Sequence, residues 1–323
     1  MSAGGQRDAD VADLVDRARA GQVRAVARLI SLVENDSPEL RAVAVALAGQ
    51  AGQAQVVGIT GSPGVGKSTS TSALVRELRA EGRRVGVIAV DPSSPLSGGA
   101  LLGDRVRMQD HAGDDGVFIR SMASRGHLGG LSAAVPQALR VLDAAGFDVV
   151  LIETVGVGQA EFEIASLADT TVLLLAPGLG DGIQAAKAGI LEVADIFIVN
   201  KADREGADQV ARELRQVQSL AGADPAESRW RAPILQTVAS RGEGFAAVLA
   251  ALAEHRAWLR DSGGLDSRRR ARAATEIEAI ALGLVRRSFD GVGGSAAVSG
   301  LVTRVLAGSI DPYTAADELV ATL

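Results

Sequence analysis

Apolar residues recur with different spacings along the chain, and these spacings predict the order of its secondary structure. Near the start they return every three or four positions, which predicts helices over 11–20 and 23–33 and a further segment from Ser37 that closes at Gly52. After Gly244 the helical spacing returns and continues to the end of the sequence. The helices predicted there cover 245–260, 267–288, 296–307 and 312–322.

Between these helical parts, short apolar runs alternate with helical stretches. A strand over 55–60, a helix over 67–80 and a strand over 84–90 form a β-α-β unit. Further strands are predicted at 117–122, 149–152, 171–176, 196–200 and 234–238, with helices near 131–145, 183–193 and 207–220. Runs rich in Val, Ile and Leu are typical of a mostly parallel sheet that helices cover on both faces. We therefore expect an α/β fold.

These patterns divide the chain into three parts. Residues 1–52 are expected to form an N-terminal helical extension, 53–260 the α/β domain and 261–323 a C-terminal helical segment. Stretches rich in turn-forming residues occur at 261–264 and 290–294. The apolar positions of the last part fit packing within one chain or across a dimer, and they include Ile277, Ile280, Leu282 and Val285.

The segment after the first strand has the sequence of a phosphate-binding loop. It reads GSPGVGKST over 61–69, which matches Gly, four residues, Gly, Lys, and Ser or Thr between a strand and a helix. Glycines let backbone N–H groups converge on phosphate oxygens, Lys67 supplies positive charge to the β- and γ-phosphates, and the Ser68 hydroxyl is a ligand for Mg²⁺. The predicted nucleotide contacts here are Gly61, Gly64, Val65, Gly66, Lys67, Ser68 and Thr69.

Lysine is rare in this sequence, and its positions are informative. Of the 33 basic residues only Lys67, Lys187 and Lys201 are lysines. A site that requires a compact ammonium group cannot accept the planar, bulkier guanidinium that the rest of the chain prefers. Each lysine is therefore a functional candidate. For Lys187 we expect a role in sensing the nucleotide state or in contacting a partner.

A second motif predicts which base is bound. Directly at the end of the strand over 196–200 the chain reads Asn-Lys-x-Asp. A carboxylate at Asp203 can accept hydrogen bonds from N1–H and the exocyclic amine of guanine, whereas adenine presents no matching pair of donors. Guanine is therefore favoured. After the next strand comes a segment where proteins that bind guanine nucleotides through an Asn-Lys-x-Asp motif offer a backbone N–H to guanine O6. The predicted base contacts are Asn200, Lys201, Asp203, Val238, Ala239 and Ser240.

Acidic residues after two other strands are candidates for positioning metal and water. Asp91 follows the strand over 84–90 and Glu153 follows the strand over 149–152, at the edge where a doubly wound sheet binds its ligand. We expect them to hold Mg²⁺ or to orient the attacking water, and Gly156 to present its N–H to the γ-phosphate. The predicted catalytic set is Lys67, Asp91, Asp104, Glu153 and Gly156, and the predicted metal ligands are Ser68, Asp91 and Glu153.

Composition excludes several classes of function. With a net charge of −6, the chain lacks the basic surplus that is typical of nucleic-acid-binding proteins. The absence of cysteine excludes disulfide bridges, a thiolate nucleophile and thiolate metal sites. No apolar stretch approaches the roughly 18 residues of a membrane span, so we expect a soluble cytoplasmic protein with no nucleic-acid or membrane partner.

The histidines and one basic run are expected to be structural surface features. His111, His127 and His255 are scattered along the chain, which favours polar surface positions over metal ligation. The five arginine-rich residues over 268–272 resemble a nucleic-acid patch, but in an acidic chain such a run is more often a solvated helix face.

Five longer segments resemble one protein family. They are DPSSPLSGGALLGDRVRM at 91–108, SRGHLGGLS at 124–132, ETVGVGQAE at 153–161, PGLGDGIQAAKAGI at 177–190 and NKAD at 200–203. Together they resemble the methylmalonyl-CoA mutase-associated GTPases, also called the MeaB or ArgK family, over nearly the whole chain. The resemblance implies a P-loop NTPase of the metallochaperone GTPase type that uses Mg²⁺ and converts GTP to GDP.

The resemblance also implies a partner and an assembly. Such proteins act as G-protein chaperones for an adenosylcobalamin-dependent acyl-CoA mutase, methylmalonyl-CoA mutase, gating its cofactor loading and protecting it. They form homodimers through C-terminal helical arms, which would correspond to 261–323, and a mobile loop at 177–187 would couple the nucleotide to the mutase. The sequence departs from the family at Val238, where serine is usual, and at Gly182 in that loop.

Other functions stay open at the level of sequence. The nucleotide could set the conformation of a binding module in which turnover is incidental, and some relatives are labelled transport-linked ATPases or kinases. Delivery of nickel is disfavoured because the chain has neither cysteine nor a histidine cluster. The leading hypothesis is a slow GTPase that its partner stimulates, because the sequence places no arginine finger in its own site.

Overall fold

The computed structural model describes residues 3–49, 52–91, 108–111, 113–123, 134–154, 160–178, 190–220, 230–291 and 294–321. The strands in these ranges are β1 Gln55–Thr60, β2 Val85–Asp91, β3 Val117–Ala123, β4 Val149–Thr154, β5 Thr170–Leu175, β6 Ile196–Asn200 and β7 Ile234–Thr237. The α-helices are α1 Ala3–Arg19, α2 Val23–Glu34, α3 Leu40–Leu47, α4 Lys67–Ala80, α5 Ala134–Ala144, α6 Ala160–Leu167, α7 Ile190–Val193, α8 Ala207–Leu220, α9 Phe245–Asp261, α10 Gly264–Gly291, α11 Gly294–Leu306 and α12 Pro312–Val320. Within the same ranges, short 3-10 helices cover Gln109–His111 and Ala239–Arg241.

The strands form one parallel sheet in the order β3-β2-β4-β1-β5-β6-β7. β1 lies between β4 and β5, and all six of its residues are buried. Because the strands are parallel, the segments that follow β1, β4 and β6 emerge at the same edge of the sheet. This architecture confirms the predicted α/β class, and it brings the phosphate-binding loop and the Asn-Lys-x-Asp motif to one place.

Two strands extend further than the sequence pattern predicts, and this changes the positions of two acidic residues. β2 includes Asp91 as its last residue. β4 continues to Thr154, so that Glu153 lies within the strand, opposite Ile59 of β1. The prediction that these acids follow their strands is therefore wrong by one or two positions. Pairing with neighbouring strands extends β4 past its apolar run, and a pattern read along one segment does not contain that pairing.

A glycine in the middle of β1 explains why α6, which the sequence pattern does not predict, lies close to the sheet. A Cβ at Gly58 would stand 2.8 Å from the Ile164 side chain and 3.1 Å from that of Ala168. Only a residue without a side chain leaves this space to the helix. The absence of a side chain at Gly58 therefore fixes how closely α6 packs on the strand that leads into the phosphate-binding loop.

The N-terminal helices share a hydrophobic core with one face of the sheet. Leu29 and Ile30 of α2 are fully buried in a cluster that includes Ile152 of β4. The chain divides into two compact units, Met1–Arg269 and Arg270–Leu323. Among the residues described, no helix combines the length and the apolar character that crossing a membrane requires.

A buried ionic cluster lies at the amino ends of β5 and β6, the edge opposite the phosphate-binding loop. Asp195, which is 8% exposed, accepts hydrogen bonds from both terminal nitrogens of Arg268 at 2.7 and 2.8 Å. Arg269 lies 3.2 Å from the carboxylate of Asp169, which is 2% exposed. The first turns of α10 are thereby attached to the sheet. The interpretation of 268–272 as a solvated helix face is wrong for these two arginines, although their role is structural.

His255 is fully buried beside this cluster, so its predicted surface position is wrong. Its Nδ1 lies 2.9 Å from the hydroxyl of Thr170 and its Nε2 lies 3.3 Å from Asp195, while both tryptophans, Trp230 and Trp258, pack against the ring. Burial lowers the pKa of His255 from its ordinary value of 6.5 to about 4, and the nearby carboxylate opposes this shift only in part. The imidazole is therefore neutral in the folded protein at pH 7.

His111 is buried as well, in contact with the helix that follows the phosphate-binding loop. It is 8% exposed, and its Nε2 lies 2.9 Å from the hydroxyl of Ser72 on α4. Its predicted surface position is therefore also wrong, whereas His127 lies outside the described residues.

The buried imidazole predicts a loss of stability in acid. As the pH falls from 6.5 towards 4, the unfolded chain binds a proton at His255 that the folded protein does not accept, so the free energy of unfolding decreases. We expect this group to account for a loss of about 2 kcal/mol between pH 7 and pH 5. Urea unfolding followed by tryptophan fluorescence measures the effect. The variant His255→Asn should lack this part of the pH dependence, and equal slopes in both proteins would contradict the assignment.

Candidate nucleotide-binding site

The loop between β1 and α4 has the backbone conformation of a phosphate-binding loop. Gly61, Gly64 and Gly66 have φ angles of 142°, 82° and 98°, which residues with a side chain rarely adopt. A Cβ at Gly66 would collide with the side-chain amide of Asn200. The glycines at these positions therefore let the loop turn tightly and place the N-terminus of α4 at the carboxyl edge of the sheet, where it can receive an anion.

Lys67 is the first residue of α4, and its side chain returns over the loop. The residue is 7% exposed, and its ammonium group donates to the carbonyl oxygens of Gly61 at 2.7 Å and Ser62 at 3.1 Å. An ammonium group held this way stands above the loop on which phosphates would rest. The geometry fits the predicted role of Lys67 as the cation of the loop.

Ser68 and Glu153 meet at the same edge. The Ser68 hydroxyl donates to Oε1 of Glu153 at 2.7 Å, and both residues are buried, at 6% and 3% exposure. The pair therefore joins the start of α4 to β4. A hydroxyl and a carboxylate at this spacing are hard oxygen donors of the kind that Mg²⁺ takes together with phosphate oxygens and water. These residues fit a magnesium ion that is shared with the nucleotide.

A pair of buried threonines joins β1 to β4, and the sequence analysis does not predict it as part of the site. The hydroxyl of Thr154 donates to that of Thr60 at 3.3 Å, one residue before the loop begins. Both side chains are buried at strand ends, and a hydroxyl at the end of an apolar run is the signal in the sequence that points to them. The bond links the strand of Glu153 to the strand of the loop.

Asn200 connects the predicted phosphate and base segments. Its side-chain nitrogen donates to the Val65 carbonyl at 2.8 Å, and its side-chain oxygen accepts from the backbone N–H of Ala239 at 3.0 Å and from Thr237 at 3.2 Å. One buried amide therefore fixes the phosphate-binding loop to the segment after β7. The side chain of Asn200 acts as a brace between these elements.

Lys201 approaches the loop from the same side. Its φ angle is 58°, and its ammonium group donates to the Gly64 carbonyl at 2.6 Å. Two of the three lysines in the chain are thus in contact with the phosphate-binding loop. The third, Lys187, lies outside the described residues.

Of the residues predicted to recognise the base, Asp203 and Ser240 are exposed, whereas Asn200, Val238 and Ala239 are buried. Asp203 has a side chain that is 42% exposed and lies 3.8 Å from Arg241. Val238 donates its N–H to the carbonyl of Glu243 at 3.1 Å, so this N–H and that of Ala239 are engaged within the protein. Ser240 follows in the 3-10 helix Ala239–Arg241.

Several predicted site residues lie wholly or partly outside the described parts of the chain. Asp104, Gly156 and the greater part of 177–187 lie outside the described residues. The backbone of Asp91 ends β2, which places this residue at the carboxyl edge of the sheet. Within the described part of the chain, no group of three or more metal-ligating side chains forms a metal centre by itself.

Comparisons with known proteins agree with this geometry. The family model described as methylmalonyl-CoA mutase-associated GTPase MeaB matches residues 26–291. A protein of Pyrococcus abyssi that is named as a GTPase is 48% identical over 308 residues, which cover 95% of each chain. The mouse mitochondrial methylmalonic aciduria type A homolog is 38% identical over 214 residues, or 66% of this chain and 52% of its own. A crystal structure of a LAO/AO transport system kinase superposes with a TM-score of 0.70 at 27% identity, covering 97% of both chains.

Proposed function

This chain belongs to the family of methylmalonyl-CoA mutase-associated GTPases, MeaB, and we propose that it serves a methylmalonyl-CoA mutase as a magnesium-dependent chaperone. The protein is a GTP hydrolase of the P-loop class. Its proposed role is to control the loading of adenosylcobalamin into the mutase and to protect the loaded enzyme. The observation that supports the nucleotide assignment is the Asn200 brace, because one buried side chain joins the phosphate-binding loop to the segment proposed to lie beside the base.

The proposed hydrolysis uses the residues at the carboxyl edge of the sheet. Lys67 lies where its charge would stabilise the negative charge that develops on the transferring phosphoryl group. Ser68 and Glu153 would hold Mg²⁺, which when bound offsets the negative charge of the β- and γ-phosphates. Asp91 and Asp104 are proposed to assist in positioning metal or water, and Gly156 to bind the γ-phosphate through its N–H.

Base recognition is assigned to the exposed side of the brace. We infer that Asp203 accepts N1–H and the exocyclic amine of guanine, with Lys201 and the 238–240 segment beside the base. In this arrangement adenine would leave the carboxylate without matching donors, which disfavours its binding. The preference for GTP over ATP follows from this single contact.

The second unit is proposed to mediate assembly. Within Arg270–Leu323, large apolar side chains are exposed, among them Ile277 at 67%, Leu282 at 70% and Leu306 at 83%. Exposed apolar side chains in such number favour burial against another surface. We propose that 261–323 is the arm of a homodimer, and that the protein works in the cytoplasm.

Steady-state GTP hydrolysis by the purified protein, with and without a methylmalonyl-CoA mutase from the same source, tests this proposal. We expect slow turnover alone, a several-fold increase on adding the mutase, and little hydrolysis of ATP. If the mutase leaves turnover unchanged, the proposed partner is rejected, whereas the assignment of GTPase activity is unaffected. Equal use of ATP would reject the role of Asp203.

A further inference from the structure

An arginine stands beside the carboxylate that we assign to base recognition. Arg241 is the last residue of the 3-10 helix Ala239–Arg241, and its Nη2 lies 3.8 Å from Oδ2 of Asp203. Within the described residues, Arg241 is the basic residue that forms an ion pair with Asp203. Both side chains are about half exposed, at 53% and 42%, so the pair lies at the open side of the site, where a base would enter.

The position of Arg241 is fixed by a second carboxylate. Its Nε lies 2.9 Å from Oε1 of Glu243, and its Nη2 lies 3.4 Å from Oε2 of the same residue. Glu243 is in turn held by a backbone bridge to Val238. Because the hydrogen bonds of Arg241 go to Glu243, its charge faces Asp203 without a direct bond that guanine would have to displace.

The 3-10 helix that carries Arg241 is itself held by the brace. Asn200 accepts the N–H of Ala239, and Gly242 ends the helix with a φ angle of 74°. Val238, at the start of this segment, offers no side-chain donor to the site. The guanidinium is therefore the group on this segment whose charge acts on the Asp203 carboxylate.

We propose that Arg241 is a positioning residue for base recognition, which orients the Asp203 carboxylate so that both oxygens face the two N–H donors of guanine. The effect requires charge at a fixed place, which the planar guanidinium provides while it is bonded to Glu243. Without Arg241 the half-exposed carboxylate rotates more freely, and ordering it reduces the affinity for the base. This inference rests on the proposed role of Asp203.

The test measures the dissociation constants of GDP and IDP for the purified protein and its variants. Hypoxanthine lacks the exocyclic amine, so IDP offers one donor where GDP offers two. Arg241→Ala should raise the dissociation constant of GDP about threefold to fivefold, as expected for a partly exposed ion pair. It should raise the dissociation constant of IDP less than about twofold. The loss for GDP should shrink at 1 M salt. Arg241→Lys should recover part of it.

A second variant separates this inference from the assignment on which it rests. Asp203→Asn removes the charge on which Arg241 acts, and its amide can donate to the carbonyl oxygen that xanthine carries in place of the exocyclic amine of guanine. Adding Arg241→Ala to Asp203→Asn should therefore change the affinity for XDP less than about twofold. As a matched control, Arg212→Ala removes an exposed guanidinium on α8 and should leave GDP binding unchanged.

The outcomes are distinguishable. If the unmodified protein binds ADP as tightly as GDP, the role of Asp203 in base recognition is rejected, and this inference with it. If the protein prefers GDP but Arg241→Ala binds it as tightly as before, only the positioning role fails. Equal losses for GDP and IDP, together with a comparable loss of XDP affinity when Arg241→Ala is added to Asp203→Asn, would show that Arg241 stabilises the loop instead.

Discussion

Replacing Lys67 by alanine is expected to reduce GTP turnover at least about a hundredfold. The reason is that Lys67 is 7% exposed and its ammonium group, which two carbonyl oxygens hold over the loop, stands where it would offset charge on the phosphates. Steady-state phosphate release measures kcat, and titration with GDP measures how much of the loss is binding. The melting temperature measured beside kcat shows whether the variant keeps its fold.

A charge-preserving variant shows whether shape matters at this position. Lys67→Arg keeps the positive charge, but the planar guanidinium is bulkier than the space that the buried ammonium occupies, so its turnover should stay close to that of Lys67→Ala. This variant tests whether position 67 requires lysine in a chain that otherwise uses arginine for nearly all of its basic residues. Near-normal turnover of Lys67→Ala with an unchanged melting temperature would contradict the assignment of the phosphate-binding loop.

The phosphate-binding loop could be predicted because all of its determinants are local. They lie close together in the sequence, namely the glycines at 61, 64 and 66 with Lys67 and Ser68. Their order specifies a loop with positive φ angles that is followed by a helix. The brace was predicted only in part. Asn200 was identified as a base contact, but its bonds to Val65 and Ala239 join segments far apart in the chain, and only the order of the strands brings them together.

Predictions failed where packing between distant segments decides the outcome. The sequence gives no sign that His255 meets Thr170 and Asp195, and a lone histidine among alanines and an arginine resembles a surface residue. Likewise Arg268 belongs to a run of arginines that reads as a solvated face until the amino end of β6 is placed beside it. Burial of a charged group depends on a counter-ion, and spacing along the sequence does not supply one.

The carboxyl edge of the sheet, which carries the phosphate-binding loop, and the opposite edge, which carries the buried ionic cluster, are connected through the same strands. β6 begins next to Asp195 and ends at Asn200, so one five-residue strand carries an ionic anchor at its start and the brace at its end. The anchor holds the first turns of α10 to the sheet. Its loss should therefore be visible first as a loss of stability of the α/β unit.

Replacing Asp195 by alanine is expected to lower the free energy of unfolding by about 3 kcal/mol. The carboxylate accepts two bonds from Arg268 and one from the backbone N–H of Thr171 at 2.8 Å, and none of these donors would retain it as an acceptor. We place the effect at the lower end of the range for a broken buried pair because Arg268 is 35% exposed. Urea unfolding by tryptophan fluorescence reports on it directly, since Trp230 donates to the Asp195 carbonyl.

The double variant and a surface control decide whether that loss comes from the ion pair. Because Asp195→Ala leaves a half-buried guanidinium uncompensated, adding Arg268→Ala should recover part of the lost stability, so that the two losses are not additive. Asp16→Ala breaks an ion pair with Arg19 in which the two side chains are 77% and 48% exposed, and should cost less than about 0.5 kcal/mol. If Asp195→Ala unfolds at the same urea concentration as Asp16→Ala, the cluster does not stabilise the fold. Additive losses would instead assign the cost to the contacts of Asp195 with the Thr171 backbone and with His255, because both are lost with or without Arg268.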